Sequence, residues 1–365
     1  MTSTNDLHSV AHRFNPASLK IAREYRGWKK NVLANRLGIT PSAISQFESG
    51  QTRPNATTIA RCSMALGFPL PFFAQQDLKP LSADQCHFRS LRSCSPIERR
   101  KMLSAGSILA SIVDFVDEHV HLPEEQIAPV TNFHTETLDE IEEAANQVRL
   151  HWGLGQGPIE SVTELLESKG VLIFRLLEDC KKIDAFSFWY HNRPLVFLNS
   201  EKGSASRNRF DAAHELGHFV LHADYLPGDA AQEAEAHRFA GAFLLPRDSF
   251  IHECPRRLRW HQLLELKSRW GVSLAALVQR AKDLQVISLD TYRRARVQIG
   301  KRGWRTKEPN EPPVETPTVV TNALKVMAEG RLSLTPITQN LGLKESDTIK
   351  LLYGDHQQPQ LFLAT

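Results

Sequence analysis

The sequence has few cysteines, and their arrangement argues against a disulfide framework. Five cysteines are scattered over 365 residues and none forms a Cys-x-x-Cys pair: Cys62, Cys86, Cys94, Cys180 and Cys254. An odd and unpatterned set is typical of a protein kept in a reducing compartment. The same arrangement argues against a zinc site built from cysteines.

Long apolar runs are also missing. No stretch approaches the ~20 apolar residues of a membrane-spanning helix, and the first residues lack the basic and apolar regions of a signal peptide. The net charge is only +3, so any basic character that serves binding must be local. We therefore expect a cytoplasmic protein of two or three domains without a membrane partner.

What the sequence does contain is a His-Glu-x-x-His motif, from His214 to His218, in a stretch typical of a helix. Apolar residues recur there at a spacing of three or four: Phe210, Ala213, Gly217 and Val220. Because positions four apart lie on one face of a helix, both imidazoles can bind one metal ion. Glu215 then lies beside the ion and can take a proton from the water that zinc activates.

A catalytic zinc site needs a third protein ligand, and the next helical stretch offers one. Glu233 precedes His237 by four residues, and a residue at that spacing often orients a ligand histidine without binding the metal. We therefore predict that Glu233 is the ligand and His237 its neighbour in the second layer. Glu235 remains an alternative ligand, although an exposed helix charge is the simpler interpretation. His222 is a weaker alternative, because it lies two turns from His214.

Short motifs around these residues form a specific pattern: Asp184–Ser187, Pro194–Asn199, Arg209–Phe210, Ala213–His218, Glu233, Ala236, Phe239–Ala240 and Leu244–Pro246. Over about residues 135 to 305, this pattern resembles the ImmA/IrrE family of metallopeptidases. His237 departs from the Asn or Asp usual in that family, so it can serve in the second layer or bind metal itself. The resemblance implies a zinc-dependent endopeptidase with a narrow substrate, often a repressor.

Two short predicted helices near the N-terminus are joined by a tight turn at Gly38–Ile39. The first covers 29–37, and the second covers 40–50 and opens with a threonine cap and a proline. Across residues 16 to 75 the pattern resembles the Xre/Cro-type repressor family, whose second helix enters the major groove of DNA. A protein-binding module that has lost DNA contact is the alternative.

The early residues of that second helix are the candidates for contact with base edges: Thr40, Ser42, Ala43 and Gln46. Nearby basic residues are the candidates for contact with phosphates: Lys29, Lys30, Arg36 and Arg53. Since a reader of this type usually needs two half-sites, we expect a homodimer on double-stranded operator DNA.

The expected fold class is α+β, mainly α with a small sheet. Branched and aromatic residues predict strands at 171–175, 185–190 and 195–198, the last two as a hairpin. An extended peptide could bind the edge of such a sheet as an added strand. The expected division is a flexible arm (1–14), an Xre-type domain (15–75), a helical linker region (76–134), a zincin-like peptidase core (135–250), its helical companion (251–305), a proline-rich linker (306–318) and a small helical C-terminal unit (319–365).

The function favoured by these features is a DNA-binding transcriptional regulator with a zinc-dependent endopeptidase domain. It would cleave a repressor or itself and so switch on stress, phage or mobile-element genes. A regulator whose peptidase-like domain senses a ligand or metal without cleaving is the alternative, and an antitoxin role rests on the Xre-type domain alone. An oxyanion-stabilising group is also expected, with three candidates: Tyr190, His191 and His222.

Overall fold

The computed structural model describes residues 4–88, 95–127, 137–176, 184–199, 204–223, 229–329 and 338–353. The fold class is α+β, as predicted: helices surround one small sheet. The strands are β1 (Cys86–Phe88), β2 (Leu172–Arg175), β3 (Ala185–Tyr190) and β4 (Arg193–Leu198). No helix among these residues is long and apolar enough to cross a membrane.

The helices divide into an N-terminal, a central and a C-terminal group. They are α1 (Thr4–His12), α2 (Pro16–Tyr25), α3 (Lys30–Leu37), α4 (Pro41–Glu48), α5 (Ala56–Leu66), α6 (Pro96–Asp117), α7 (Leu138–His151), α8 (Val162–Ser168), α9 (Ala205–Leu221), α10 (Ala230–Leu244), α11 (Arg247–Glu253), α12 (Trp260–Trp270), α13 (Leu274–Asp283), α14 (Leu289–Lys301), α15 (Val319–Glu329) and α16 (Glu345–Tyr353).

The N-terminal residues differ from the expectation of an irregular arm. Residues 4–12 form α1, which packs against α5. Val10 and Phe14 are buried in the core of the N-terminal helices. Arg53 donates a hydrogen bond to the carbonyl oxygen of His12 at 3.1 Å. The helix was not predicted because the sequence of 1–14 shows little apolar periodicity.

The sheet has the order β1-β3-β4-β2. β3 and β4 form the predicted antiparallel hairpin, and β2 runs parallel to β4. His191 lies in the turn of the hairpin with a φ of 51°. β1 pairs antiparallel with β3 and was not predicted, because it comes from the region 76–134 that we expected to be helical.

Each face of the sheet contributes to a separate hydrophobic core, because side chains alternate along a strand. On one face Phe186 and Phe197 join the core of α1–α6, which also includes buried residues of α15 and α16. On the other face Ile173 and Val196 join the core of α7–α14. The sheet is therefore the layer that connects the N-terminal helices to the central helical group.

Residues 306–318, here called the strap, have no regular secondary structure, as expected of a linker, but they are anchored. Glu308 accepts a hydrogen bond from the backbone N–H of Leu274 at the start of α13 (2.8 Å). Glu311 accepts one from the backbone N–H of Ser206 at the start of α9 (3.0 Å). Carboxylates are favourable there because the first N–H groups of a helix have no partner within it and carry partial positive charge.

A buried lysine and a third glutamate complete this anchoring. Lys267 is 0% exposed and forms ion pairs with Glu308 (3.0 Å) and Glu311 (2.6 Å). Glu315 accepts hydrogen bonds from the backbone N–H groups of Val162 (3.1 Å) and Thr163 (2.8 Å) in the first turn of α8. The strap thus ties the starts of α8, α9 and α13 together, and the start of α9 leads into the helix of the His-Glu-x-x-His motif.

Candidate metal centre and DNA-binding surface

The two helices that carry the predicted metal ligands pack against each other. A Cβ added to Gly217 of α9 would lie 3.1 Å from the Cα of Ala236 and 3.1 Å from the ring of Phe239, both on α10. Any larger residue would push the helices apart. The glycine within α9 is therefore explained by close packing, as its position in the sequence suggested.

The predicted ligands lie together in the structure. The Nε2 atoms of His214 and His218 are 3.2 Å apart. The carboxylate oxygens of Glu233 lie 3.3 Å from His214 Nε2 and 3.4 Å from His218 Nε2. A tetrahedral zinc ion with bonds of about 2.0–2.1 Å keeps its ligand atoms about 3.4 Å apart. The donor types and their spacing therefore both fit zinc.

The protonation state of the third predicted ligand also suits a metal. Burial by itself would raise the pKa of Glu233, but hydrogen bonds and charge interactions with His214 and His218 lower it to about 2. The carboxylate is consequently ionised near neutral pH, which is the form that binds a cation. Its side chain is 26% exposed, whereas the side chains of both histidines are only 1% exposed.

Glu215, the predicted general base, is completely buried beside this group. Its Oε2 accepts a hydrogen bond of 2.5 Å from the hydroxyl of Ser187 on β3. This bond fixes the carboxylate against the sheet and fits a group that must keep one orientation. Ser187 was not predicted as a site residue, although it lies within one of the motifs that carry the family resemblance.

The two alternative ligands lie one layer behind the predicted ones. His222 Nδ1 is 3.1 Å from His218 Nδ1, and His222 Nε2 is 2.8 Å from a carboxylate oxygen of Glu235. If His218 binds metal through Nε2, its Nδ1 carries the proton of the ring and donates a hydrogen bond to Nδ1 of His222. His222 then carries its own proton on Nε2 and donates to Glu235. This arrangement is typical of the second layer around a metal.

His237 lies beside the metal group, whereas Tyr190 does not. The ring of His237 is 6.4 Å from that of His214, centroid to centroid, and 4.8 Å from that of Phe210. Tyr190 packs on the opposite face of the sheet from Ser187 and donates a hydrogen bond to Asp114 of α6. His222 is engaged as described above. The expectation that Tyr190 stabilises an oxyanion therefore conflicts with the direction of its side chain.

A histidine that the sequence did not point to lies against the metal group. The ring of His87, on β1, stacks on that of His218 with centroids 4.5 Å apart and planes at 18°. Burial, and then the proximity of His218 and His222, lower the pKa of His87 to about 3. It is therefore neutral near pH 7. The segment around His87 contains no motif, so no sequence signal could have identified it.

The predicted DNA-binding residues lie on and around α3 and α4, which are joined by a turn in which Gly38 has a φ of 60°. Ser42 and Gln46 are exposed, whereas Ala43 is half-buried. Thr40 is exposed but caps α4, since its hydroxyl accepts the backbone N–H of Ala43 at 3.2 Å. Of these residues, Gln46 has the longest polar side chain, and its amide does not cap the helix, so it is the best placed of them to reach a base edge.

The basic residues differ in how far they are engaged within the protein. Lys29 is exposed, but Lys30 donates a hydrogen bond to Ser45 at 3.0 Å and lies 3.7 Å from the carboxylate of Glu48. Arg53 is exposed and bonded to the end of α1. Lys29 is therefore better placed than Lys30 to meet a phosphate without first breaking internal contacts.

Comparisons with known proteins agree with this division of the chain. Residues 166–282 match the family model described as an IrrE N-terminal-like domain, a peptidase family, and residues 19–73 match one described as helix-turn-helix. Antitoxin HipB of Escherichia coli is 27% identical over 89 residues, which cover 23% of this chain and 95% of HipB. Each match to a family model covers less than half of the chain: one is to a helix-turn-helix domain and the other to the IrrE N-terminal-like peptidase domain.

Proposed function

We propose that this protein is a DNA-binding transcriptional regulator whose peptidase-family domain is a zinc-dependent endopeptidase. The observation that carries the proposal is the grouping of His214, His218 and Glu233: the two Nε2 atoms are 3.2 Å apart, and each lies 3.3–3.4 Å from a different carboxylate oxygen of Glu233. A fourth position would be left for water and substrate, as a catalytic zinc site requires. Glu215 lies next to His214 in the sequence and is buried in the same place.

The residues of the chain divide the chemistry among them. When bound, zinc polarises the substrate carbonyl and lowers the pKa of a water molecule to about 7. Glu215 takes the proton from that water as the peptide carbonyl is attacked, and passes it to the leaving amine. Ser187 holds the Glu215 carboxylate during both transfers. His222 and Glu235 fix the ring of His218, so that its Nε2 faces the metal.

The helix-turn-helix domain supports the rest of the proposal. It would bring the peptidase to an operator, as a homodimer that reads two half-sites through α4. We propose that the substrate is another protein at the same genes, most simply a repressor, or this chain itself. Cleavage would then switch on stress, phage or mobile-element genes. The likeness to an antitoxin covers only 23% of the chain and supports no more than DNA binding.

A second function is favoured by the burial of the metal group. With Glu215 at 0% exposure and His214 and His218 at 1%, a domain that senses metal without cleaving is the second candidate. Such a sensor has no use for a general base. The variant Glu215→Gln keeps the shape and the hydrogen bond from Ser187 but cannot accept a proton, so it separates the two functions.

The experiment compares wild type and Glu215→Gln in cells that express neighbouring regulators. We expect both proteins to contain zinc and to bind the same DNA, and only the wild type to give truncated products, detected by mass spectrometry. Derepression should also be lost in the variant. Equal regulation by both proteins, with no truncated product, would show that the domain is a sensor and not a peptidase.

A further inference from the structure

β1 forms one edge of the sheet, at a position where another extended peptide could bind if β1 were absent. In the order β1-β3-β4-β2, β3 would be the edge of the sheet if β1 were absent. An exposed strand edge binds an extended peptide through its backbone N–H and C=O groups. Here the chain's own residues Cys86–Phe88 fill that edge, in antiparallel register with Phe186–Phe188.

The register places β1 directly over the candidate metal group. His87 is paired with Ser187, and paired residues of antiparallel strands project to the same face of a sheet. On that face Ser187 bonds Glu215, and the ring of His87 stacks on His218. A peptide that added to β3 in this direction would present its backbone at the same place, next to both the general base and the metal ligands.

The occupied edge also accounts for the closure of the α9 side of the site, whereas Glu233 on α10 stays 26% exposed. His214, Glu215 and His218 are all fully buried, although a polypeptide substrate would have to reach them. His87, 6% exposed, is one of the side chains that cover them. Its Nδ1 atom has no hydrogen-bond partner within the part of the chain that the structure describes. The side chain is thus held by stacking, which another residue could replace.

β1 is connected to the helix-turn-helix side of the molecule through its other face. The side chain of Cys86 is buried in the core that contains α2–α6. Just before β1, the backbone N–H of Leu81 donates to Ser107 of α6 at 2.9 Å. Since α2 and α6 also pack together, the position of β1 depends on the N-terminal helices.

We propose that β1 is an internal occupant of the outer edge of β3: it fills the place at which an extended polypeptide substrate would add as an antiparallel strand, and it excludes that substrate until β1 is displaced. This inference rests on the proposed peptidase function. The substrate class it specifies is a segment without regular structure, at least three residues of which pair with β3. A movement of the N-terminal helices would release β1.

The test removes the side chain that closes the site. His87→Gly is compared with wild type and with His151→Gly, a control at an exposed histidine of α7. Zinc content is measured first on each full-length protein. Acetohydroxamate, a small metal-binding probe, is then titrated by calorimetry. We expect it to bind about tenfold more tightly to His87→Gly only, because apparent affinity falls with the fraction of molecules in the competent state.

A second measurement needs no metal. Hydrogen exchange of the metal-free proteins should show faster exchange at the β3 amides in His87→Gly, with unchanged exchange in α9 and α10, which also reports that the variant is folded. If the zinc-loaded His87→Gly protein shows unchanged probe affinity and its metal-free form shows unchanged β3 exchange, the inference is overturned and the peptidase proposal still stands. Absence of zinc from all three proteins would instead refute the peptidase proposal.

Discussion

The two candidate functional surfaces of this chain are built in opposite ways. The histidines of the metal group are buried on α9, and hydrogen bonds from His218 to His222 and from His222 to Glu235 fix them from behind. The early face of α4 is exposed: Ser42 and Gln46 are open to solvent, and the bond of 3.2 Å from Ala43 N–H to Thr40 only caps the helix. A water-poor site strengthens electrostatic interactions and keeps its geometry. A DNA-reading surface must instead stay exposed, so that bases and phosphates can reach it.

Loss of a metal ligand should give the largest effect and leave the other surface untouched. Glu233→Ala removes the only carboxylate of the three-donor group found within the described residues. We expect zinc affinity, measured by competition with a chelator, to fall more than about 100-fold, beyond the range of changes in the second layer. Glu235→Ala should lower zinc affinity only about tenfold, because His222 loses its hydrogen-bond partner but the metal keeps its three ligands. Equal losses in both variants would contradict the ligand assignment.

The second largest effect should come from breaking the ion pairs that anchor the strap. Lys267→Met leaves Glu308 and Glu311 without their buried partner, and the loss of one partner of a buried ion pair costs about 3 kcal/mol. We expect that decrease in the free energy of unfolding in urea, whereas Lys301→Met, at an exposed position of α14, should change little. DNA affinity measured well below the unfolding transition should be unchanged. A neutral result for Lys267→Met would mean that the strap does not stabilise the central helices.

On the DNA-binding surface we expect a smaller effect from a single side chain. Gln46→Ala removes an exposed amide that can bond adenine through two hydrogen bonds, worth about 1–3 kcal/mol of discrimination. Affinity for a selected operator should fall about tenfold in a mobility-shift assay, with zinc content unchanged. Met64→Ala, at an exposed position on α5, serves as the control. If Gln46→Ala keeps the preference of the wild type for the same base, Gln46 does not contact that base.

The smallest effect concerns phosphate contacts. Lys29→Ala should weaken binding to all DNA sequences alike and lower the salt dependence of log K by about one. Lys30→Ala should change that slope less, because Lys30 is already paired with Ser45 and Glu48. Salt titrations of both variants on one DNA fragment make the comparison. A larger change for Lys30 would show that its internal contacts break on binding.

The features that were predictable from sequence are those with local spacing. Residues four apart on one helix identified His214 and His218, and a capped, glycine-linked helix pair identified α3 and α4. Gly217 could be interpreted because a glycine within a helix needs a packing reason.

The features that were missed depend on contacts between residues far apart in the chain. β1 has three residues and no alternating pattern, so only its pairing with β3 makes it a strand. Likewise the glutamates of the strap gain their role from helix starts more than 30 residues away, such as Leu274 for Glu308. α1 was missed because its sequence shows little apolar periodicity.

X-ray absorption at the zinc edge of the purified full-length protein tests the central claim most directly. We predict one zinc ion per chain with two imidazole nitrogens and a carboxylate oxygen as protein ligands, and loss of that signal in Glu233→Ala. A protein that binds no zinc, or that binds it through sulfur, would contradict the account.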